Sequence, residues 1–153
     1  MANKCELSQY MSRERILDIE TISKDDLLNK MADLISSDAK VVDSIQMKRA
    51  IFEREKSMST GIGNSIAIPH ARTDSVTDFI VCFARIKDGV DYDALDQKPV
   101  NLVFMIVAPA SEDKMYIKLL SRLVLRMKND DFIQNLLDAD TPERLFSLIC
   151  DTK

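Results

Sequence analysis

The chain has 153 residues, 46% of them hydrophobic and 30% charged, the balance of one ordinary globular domain with a sizeable core. With 21 basic against 25 acidic side chains the net charge is −4, so there is no basic footprint for a phosphate backbone and nucleic acid is not an expected partner. The longest apolar run, residues 102–108, is far too short to span a bilayer, and the polar start MANKCELSQY lacks a signal peptide's apolar stretch; membrane insertion is not expected, and the cytoplasm is the expected compartment.

Ser23 precedes Leu27, Leu28, Met31, Leu34 and Ile35, which share one helical face behind an N-cap residue and predict a first helix. A second helix is predicted to begin near Asp43, where Met47, Ala50, Ile51 and Arg54 recur at i, i+3, i+4, i+7. Arg54 thus ends an apolar stripe, facing inward at the last turn, while Glu53, Glu55 and Lys56 point away. Residues 57–64 (SMSTGIGN) break the helical period with small residues and two glycines, predicting a loop able to bring backbone N–H groups close to a ligand.

Residues 66–68 then read as a short strand, and 79–86 and 100–107 as buried strands rich in branched and aromatic side chains, with Asp88-Gly89 a turn signal between them. Ser111 opens a long amphipathic helix with Tyr116, Leu119, Leu120, Leu123 and Met127 on one face. Phe132, Ile133, Leu136 and Leu137 suggest a further short helix, and Thr141-Pro142 starts a last one. Helices, then strands, then helices predict an α/β fold in which one sheet is covered by helices, a single domain over residues 1–153.

Three cysteines, Cys5, Cys82 and Cys150, lie far apart with no CxxC pair, which is not a disulfide framework. His70 is the one histidine, so the zinc spacings cannot be assembled; neither a metal nor a cofactor is expected, although carboxylate sites for magnesium stay formally open. The Gly61-Ile62-Gly63 run is followed by no Gly-Lys-Ser and lacks the third glycine of a dinucleotide fingerprint, so alone it reads more simply as a plain turn. A lone histidine is likewise more often structural than functional, but the setting of His70 differs. Pro69 fixes its own φ and biases Ile68 toward extended geometry, delivering His70 at a strand end on a stiffened backbone, with Thr60, Asn64, Ser65 and Arg72 close in sequence. A neutral imidazole nitrogen held this way suits attack on a phosphoryl group without a separate base.

The run REKSMSTGIGNSIAIPHAR, residues 54–72, closely resembles the phosphorylation-site signature of enzyme IIA proteins of the bacterial phosphoenolpyruvate-dependent phosphotransferase system, in the fructose/mannitol class. GVDYDALDQKPVNLVFMIVAPASEDK, residues 89–114, resembles the next stretch of that family, and TPERLFSLI its final helix, so the resemblance covers about residues 7–149. STGIGN followed by IAIPH is most similar to the nitrogen-regulatory type, which would carry no attached transporter domain.

The resemblance implies a mixed sheet between helices, as in mannitol IIA. It implies that His70 takes a phosphoryl group from the histidine-containing phosphocarrier protein HPr and passes it to a IIB domain. It aligns Arg54 with the active-site arginine, whose guanidinium would hold phosphoryl oxygens bidentately; as an isolated residue Arg54 reads equally as a snorkelling or dipole-pairing arginine at a helix C-terminus. Thr60, Asn64 and Ser65 are the expected supporting residues.

At one position the sequence departs from the resemblance: transport members usually carry a second histidine early in the long helix, where MYIKLLSRL places Tyr116. Tyrosine donates a hydrogen bond but carries no positive charge; core packing beside Leu119, Leu120 and Leu123 is its equal alternative. The expected function is therefore a phosphoryl carrier whose phosphorylation on His70 mainly regulates other proteins. A transport carrier feeding a fructose/mannitol-type IIB domain is the first alternative, and a degenerate, unphosphorylated relative the second.

Overall fold

A computed structural model describes residues 7–150. Its sheet is built around two long strands, β5 (Ile80–Val90) and β6 (Val100–Ala108), paired antiparallel. On the outer side of β5, β1 (Ile16–Ile19) runs parallel. On the outer side of β6, β3 (Ile66–Ala67) and β4 (His70–Arg72) run parallel to it one after the other, and β2 (Gly61–Gly63) closes that edge antiparallel to β3.

Alternation of side chains along β5 and β6 gives the sheet two apolar faces, which is why both strands read as nearly unbroken apolar runs. Ile80, Cys82, Ala84, Val103, Met105 and Val107 face a layer made by α1 (Lys24–Ser36) and α2 (Ser44–Ser57). Val81, Phe83, Leu102, Phe104 and Ile106 face the layer of α3 (Asp113–Arg126), α4 (Asp130–Asp138) and α5 (Pro142–Cys150). Phe83 and Phe104 stand opposite in register with ring centroids 4.6 Å apart. The expected sheet covered by helices is thus observed as three layers. Among the described residues no helix is long and apolar enough to cross a membrane.

Local chemistry sets the boundaries. Ser23 accepts the Asp26 N–H and Asp43 the Gln46 N–H, capping α1 and α2 where the sequence places their starts. Arg85, the charged residue inside β5, is tolerated because its fork meets Asp18 at 3.0 and 2.7 Å across the β1 register, while its third nitrogen caps the Leu136 and Ala139 carbonyls at the end of α4.

Several expectations change. Strand β1 has no counterpart in the sequence reading, because a four-residue edge strand half-buried throughout carries little alternation. Residues 57–64 are not an open loop: Ser57 ends α2, β2 follows, and Asn64 (φ 55°) and Ser65 (φ 69°) form the two-residue turn into β3, the left-handed pair of a tight hairpin. Gly61 is needed there for close approach, since a Cβ would stand 2.7 Å from that of Ala94. Asp88 and Gly89 lie within β5, where a register shift between Arg85 and Val90 and a φ of 79° at Gly89 mark a bulge instead of a turn. Helix α3 begins at Asp113, two residues beyond Ser111, with Glu112 in the N-cap position. Cys82 and Cys150 are free thiols, and Cys5 lies outside the described residues.

Candidate active site

Pro69 has no N–H, and the ladder between β3 and β4 is interrupted at Ile68 and Pro69; the Pro69 carbonyl still accepts the Ile106 N–H at 2.9 Å. His70 therefore resumes pairing opposite Ile106 on a chain pinned at both sides. Ala71 points into the α1/α2 core, so its neighbours His70 and Arg72 project from the opposite face, toward α3.

The Nδ1 of His70 lies 2.6 Å from the carbonyl oxygen of Ile68. A carbonyl only accepts, so Nδ1 carries the proton and Nε2 is left with its lone pair. Burial, helped by the positive charge of Arg54, lowers the imidazole pKa below its ordinary 6.5 against the opposing effects of the Ile68 bond and Glu55. The ring is thus neutral at pH 7, one tautomer, half-buried, with a nucleophilic nitrogen.

His70 opens on a cleft of about 610 Å³ that Arg54, Arg72, Asp113 and Tyr116 also line. Arg54, half-buried in the last turn of α2, spends one N–H on the Met58 carbonyl at 2.9 Å. Arg72 pairs through Nη1 with Asp113 Oδ1 and lies with its Cζ 5.3 Å from the Tyr116 ring centroid. Tyr116 is buried, its ring 5.9 Å from that of His70, and burial pushes its phenol up to about 12 despite Arg72 and Arg54. It is neutral at pH 7. Two guanidiniums against one carboxylate around a neutral imidazole leave the cleft positive, which favours an incoming anion. Among the described residues no group of three or more His, Cys, Asp or Glu stands together as metal ligands would.

Thr60 is buried: its N–H and hydroxyl donate to the two oxygens of Glu55 at 2.9 and 2.6 Å, and its carbonyl accepts the Ile68 N–H at 3.0 Å. Glu55 is the main correction to the helix reading. It does not point away but inward, bonded also to Tyr92 and paired with Lys24 at 3.0 Å. Asn64 and Ser65 lie at the hairpin turn, where the Ser65 carbonyl takes the N–H groups of Asn101 and Leu102; neither lines the cleft. Of the residues singled out in the sequence, His70, Arg54 and Tyr116 are therefore brought together, Thr60 is bonded to Glu55 and Ile68 and does not line the cleft, and Asn64 and Ser65 shape the hairpin. Arg72, named in the sequence only as a neighbour of His70, also lines the cleft, and Asp113 is the addition. Strand alternation from His70 points to Arg72, whereas Asp113 is 41 positions further along and reaches the cleft only through the fold.

The fold and the cleft together describe an α/β domain that presents one neutral histidine among arginines. The family of the phosphoenolpyruvate-dependent sugar phosphotransferase system, EIIA 2, matches residues 10–151, and the chain belongs to it. A fructose-specific EIIABC component of this system from Bacillus subtilis is 36% identical over 144 residues, 94% of this chain and 23% of that protein, so the chain spans about a quarter of that relative's length. A nitrogen regulatory protein of Pseudomonas aeruginosa is 31% identical over 131 residues, covering 86% of this chain and 85% of the relative. The crystal structure of the nitrogen regulatory protein IIA-Ntr from Neisseria meningitidis superposes with a TM-score of 0.86 at 27% identity, over 94% of this chain and 98% of the other.

Proposed function

We propose that the protein is a phosphoryl carrier that accepts a phosphoryl group on Nε2 of His70 from the phosphocarrier protein HPr and acts mainly as a phosphorylation-dependent regulator. The observation that carries this reading is the 2.6 Å contact between Nδ1 and the Ile68 carbonyl, which directs the free lone pair to Nε2. In the transfer, the Nε2 lone pair forms the new N–P bond as the donor's P–N bond breaks. The electron pair of the broken bond returns to the donor's ring nitrogen, and the donor leaves as neutral imidazole with the proton it already held on its other nitrogen. The His70 Nδ1 proton stays in its bond to Ile68. Arg54 stabilises the transferring oxygens, and no external base is required.

Likeness to proteins named as nitrogen regulatory, together with a neutral Tyr116 beside His70, supports the regulatory emphasis. The fructose-specific relative supports the second reading, a transport carrier passing phosphate to a IIB domain. In either case one IIA unit, with a core over about residues 7–149, would work in the cytoplasm alongside its phosphoryl donor, and regulatory target proteins or a IIB domain would read its state. Incubation with phosphoenolpyruvate, enzyme I and HPr, followed by intact mass, tests the proposal: one phosphoryl adduct is expected on the wild type and none on His70→Ala. Undiminished labelling of the variant would overturn it.

A further inference from the structure

We propose that Arg72 is a second phosphoryl-binding guanidinium, parked on Asp113 while His70 is unmodified and transferred to the phosphoryl group once His70 carries one. This rests on the reading of His70 as the phosphoryl acceptor and adds the residue that answers the new charge.

Three features of the cleft support the exchange. First, Arg72 lies two positions after His70 on β4, with Ala71 turned into the opposite core, so strand geometry aims both side chains to one side. Second, the Tyr116 ring forms a wall common to both: His70 lies 5.9 Å from it, centroid to centroid, and the Arg72 guanidinium 5.3 Å. The guanidinium is thereby kept beside the cleft and not free in solvent. Third, its present partner is replaceable. The Arg72 and Asp113 side chains are 43% and 65% exposed, and an ion pair so open to water is a weak one.

Charge decides the direction. Phosphorylation places about −2 on three acceptor oxygens beyond Nε2, while the positive charge that the ring gains lies partly at Nδ1, against the Ile68 carbonyl; Asp113 offers a single negative charge. Of the other groups lining the cleft, Arg54 supplies one positive charge and Tyr116, neutral, supplies none. With one N–H of Arg54 already given to the Met58 carbonyl, the phosphoryl oxygens are left short of donors, and Arg72 is the guanidinium in place to supply them, with a planar fork that suits phosphoryl oxygens. Asp113, in the first turn of α3, is then released. The modification would thus alter the charge of the exposed rim at α3, a surface a regulatory partner can read.

The test compares wild type, Arg72→Ala, Arg72→Lys and Asp113→Asn with phosphorylated HPr as donor, reading the initial rate of adduct formation by intact mass at several donor concentrations. Wild type should be labelled. Arg72→Ala should lower the maximal rate about tenfold or more with little change in the donor concentration at half-maximum, and Arg72→Lys should recover part of that loss. Asp113→Asn should be labelled at least as fast as wild type, because it frees Arg72. These opposite signs separate a phosphoryl contact from a structural ion pair, whose two halves would fail alike. A labelled wild type with Arg72→Ala unimpaired, or with Arg72→Ala and Asp113→Asn equally slowed, overturns this inference and leaves the His70 reading standing; an unlabelled wild type overturns both. In wild-type protein the Arg72 Nε–Hε resonance should also shift on phosphorylation, and its invariance would contradict the exchange.

Discussion

Glu55→Gln is the substitution whose cost the structure states most fully. The carboxylate lies buried and accepts from the Thr60 N–H, the Thr60 hydroxyl, the Tyr92 hydroxyl at 3.1 Å and the Lys24 ammonium at 3.0 Å. Glutamine keeps the shape but has one acceptor oxygen, so its NH₂ must face at least one of these donors, and Lys24 loses its counter-charge. Lys24 retains the Tyr92 carbonyl at 2.9 Å and the Tyr92 ring beneath it, which holds the loss below that of a fully stranded buried charge. About 2–4 kcal/mol is therefore expected, a fall in Tm of roughly 5–15 °C for a chain of this size. Burial alone would raise the Glu55 pKa, but the Thr60 bonds and Lys24 outweigh it and hold the carboxyl below its ordinary 4.5. Its contribution is consequently full above pH 4.5 and lost as pH falls through the lower folded value. Urea denaturation followed by circular dichroism at neutral and acidic pH measures both effects. A loss under about 0.5 kcal/mol at pH 7, within the range of ordinary surface substitutions, or a gap between the two proteins that does not narrow in acid, would refute the assignment.

Arg54→Ala should slow phosphorylation of His70 by about ten- to a thousandfold while the thermal midpoint moves little, since among the described residues its side chain's hydrogen bond is a single one, to the Met58 carbonyl; a wild-type rate would make Arg54 structural. Phosphorylated protein mixed with a fructose/mannitol-type IIB domain should transfer slowly, and Tyr116→His should quicken it, because imidazole can take the charge that the tyrosine cannot; fast wild-type transfer indifferent to the substitution would favour the transport carrier. The His70 titration followed through its Cε1–H resonance should show a midpoint below 6.5, in the direction set by its burial and Arg54. Phosphoryl acceptance should accordingly fall to half only below pH 6.5, and the unfolded chain, protonating first, should gain on the folded one as pH falls from about 6.5 to that lower midpoint. A midpoint above 6.5 would contradict the buried neutral ring.

Much of this arrangement was legible in the sequence because it rests on local chemistry. Ser23 and Asp43 announce their helices by capping, Thr141-Pro142 announces α5, and Pro69 marks the stiff approach to His70. The rest depends on distance in the chain. Glu55 falls on the polar side of α2 by periodicity, yet Lys24, Thr60 and Tyr92 converge on it from three other segments and make burial favourable. Asp88-Gly89 carries turn chemistry, but pairing on either side absorbs it as a bulge. Asn64 and Ser65 are close to His70 in sequence, but they form the turn of the hairpin and do not line the cleft.

Long-range ¹H–¹⁵N correlation on ¹⁵N-histidine-labelled protein, before and after phosphorylation, tests most directly that the Ile68 bond makes Nε2 the acceptor. One histidine gives one unambiguous pattern. The expected spectrum shows Nδ1 protonated and Nε2 bare in the resting protein, then phosphorus coupled to Nε2 with the Nδ1 proton in place. Phosphorylation at Nδ1, or a resting ring protonated on Nε2, would contradict it.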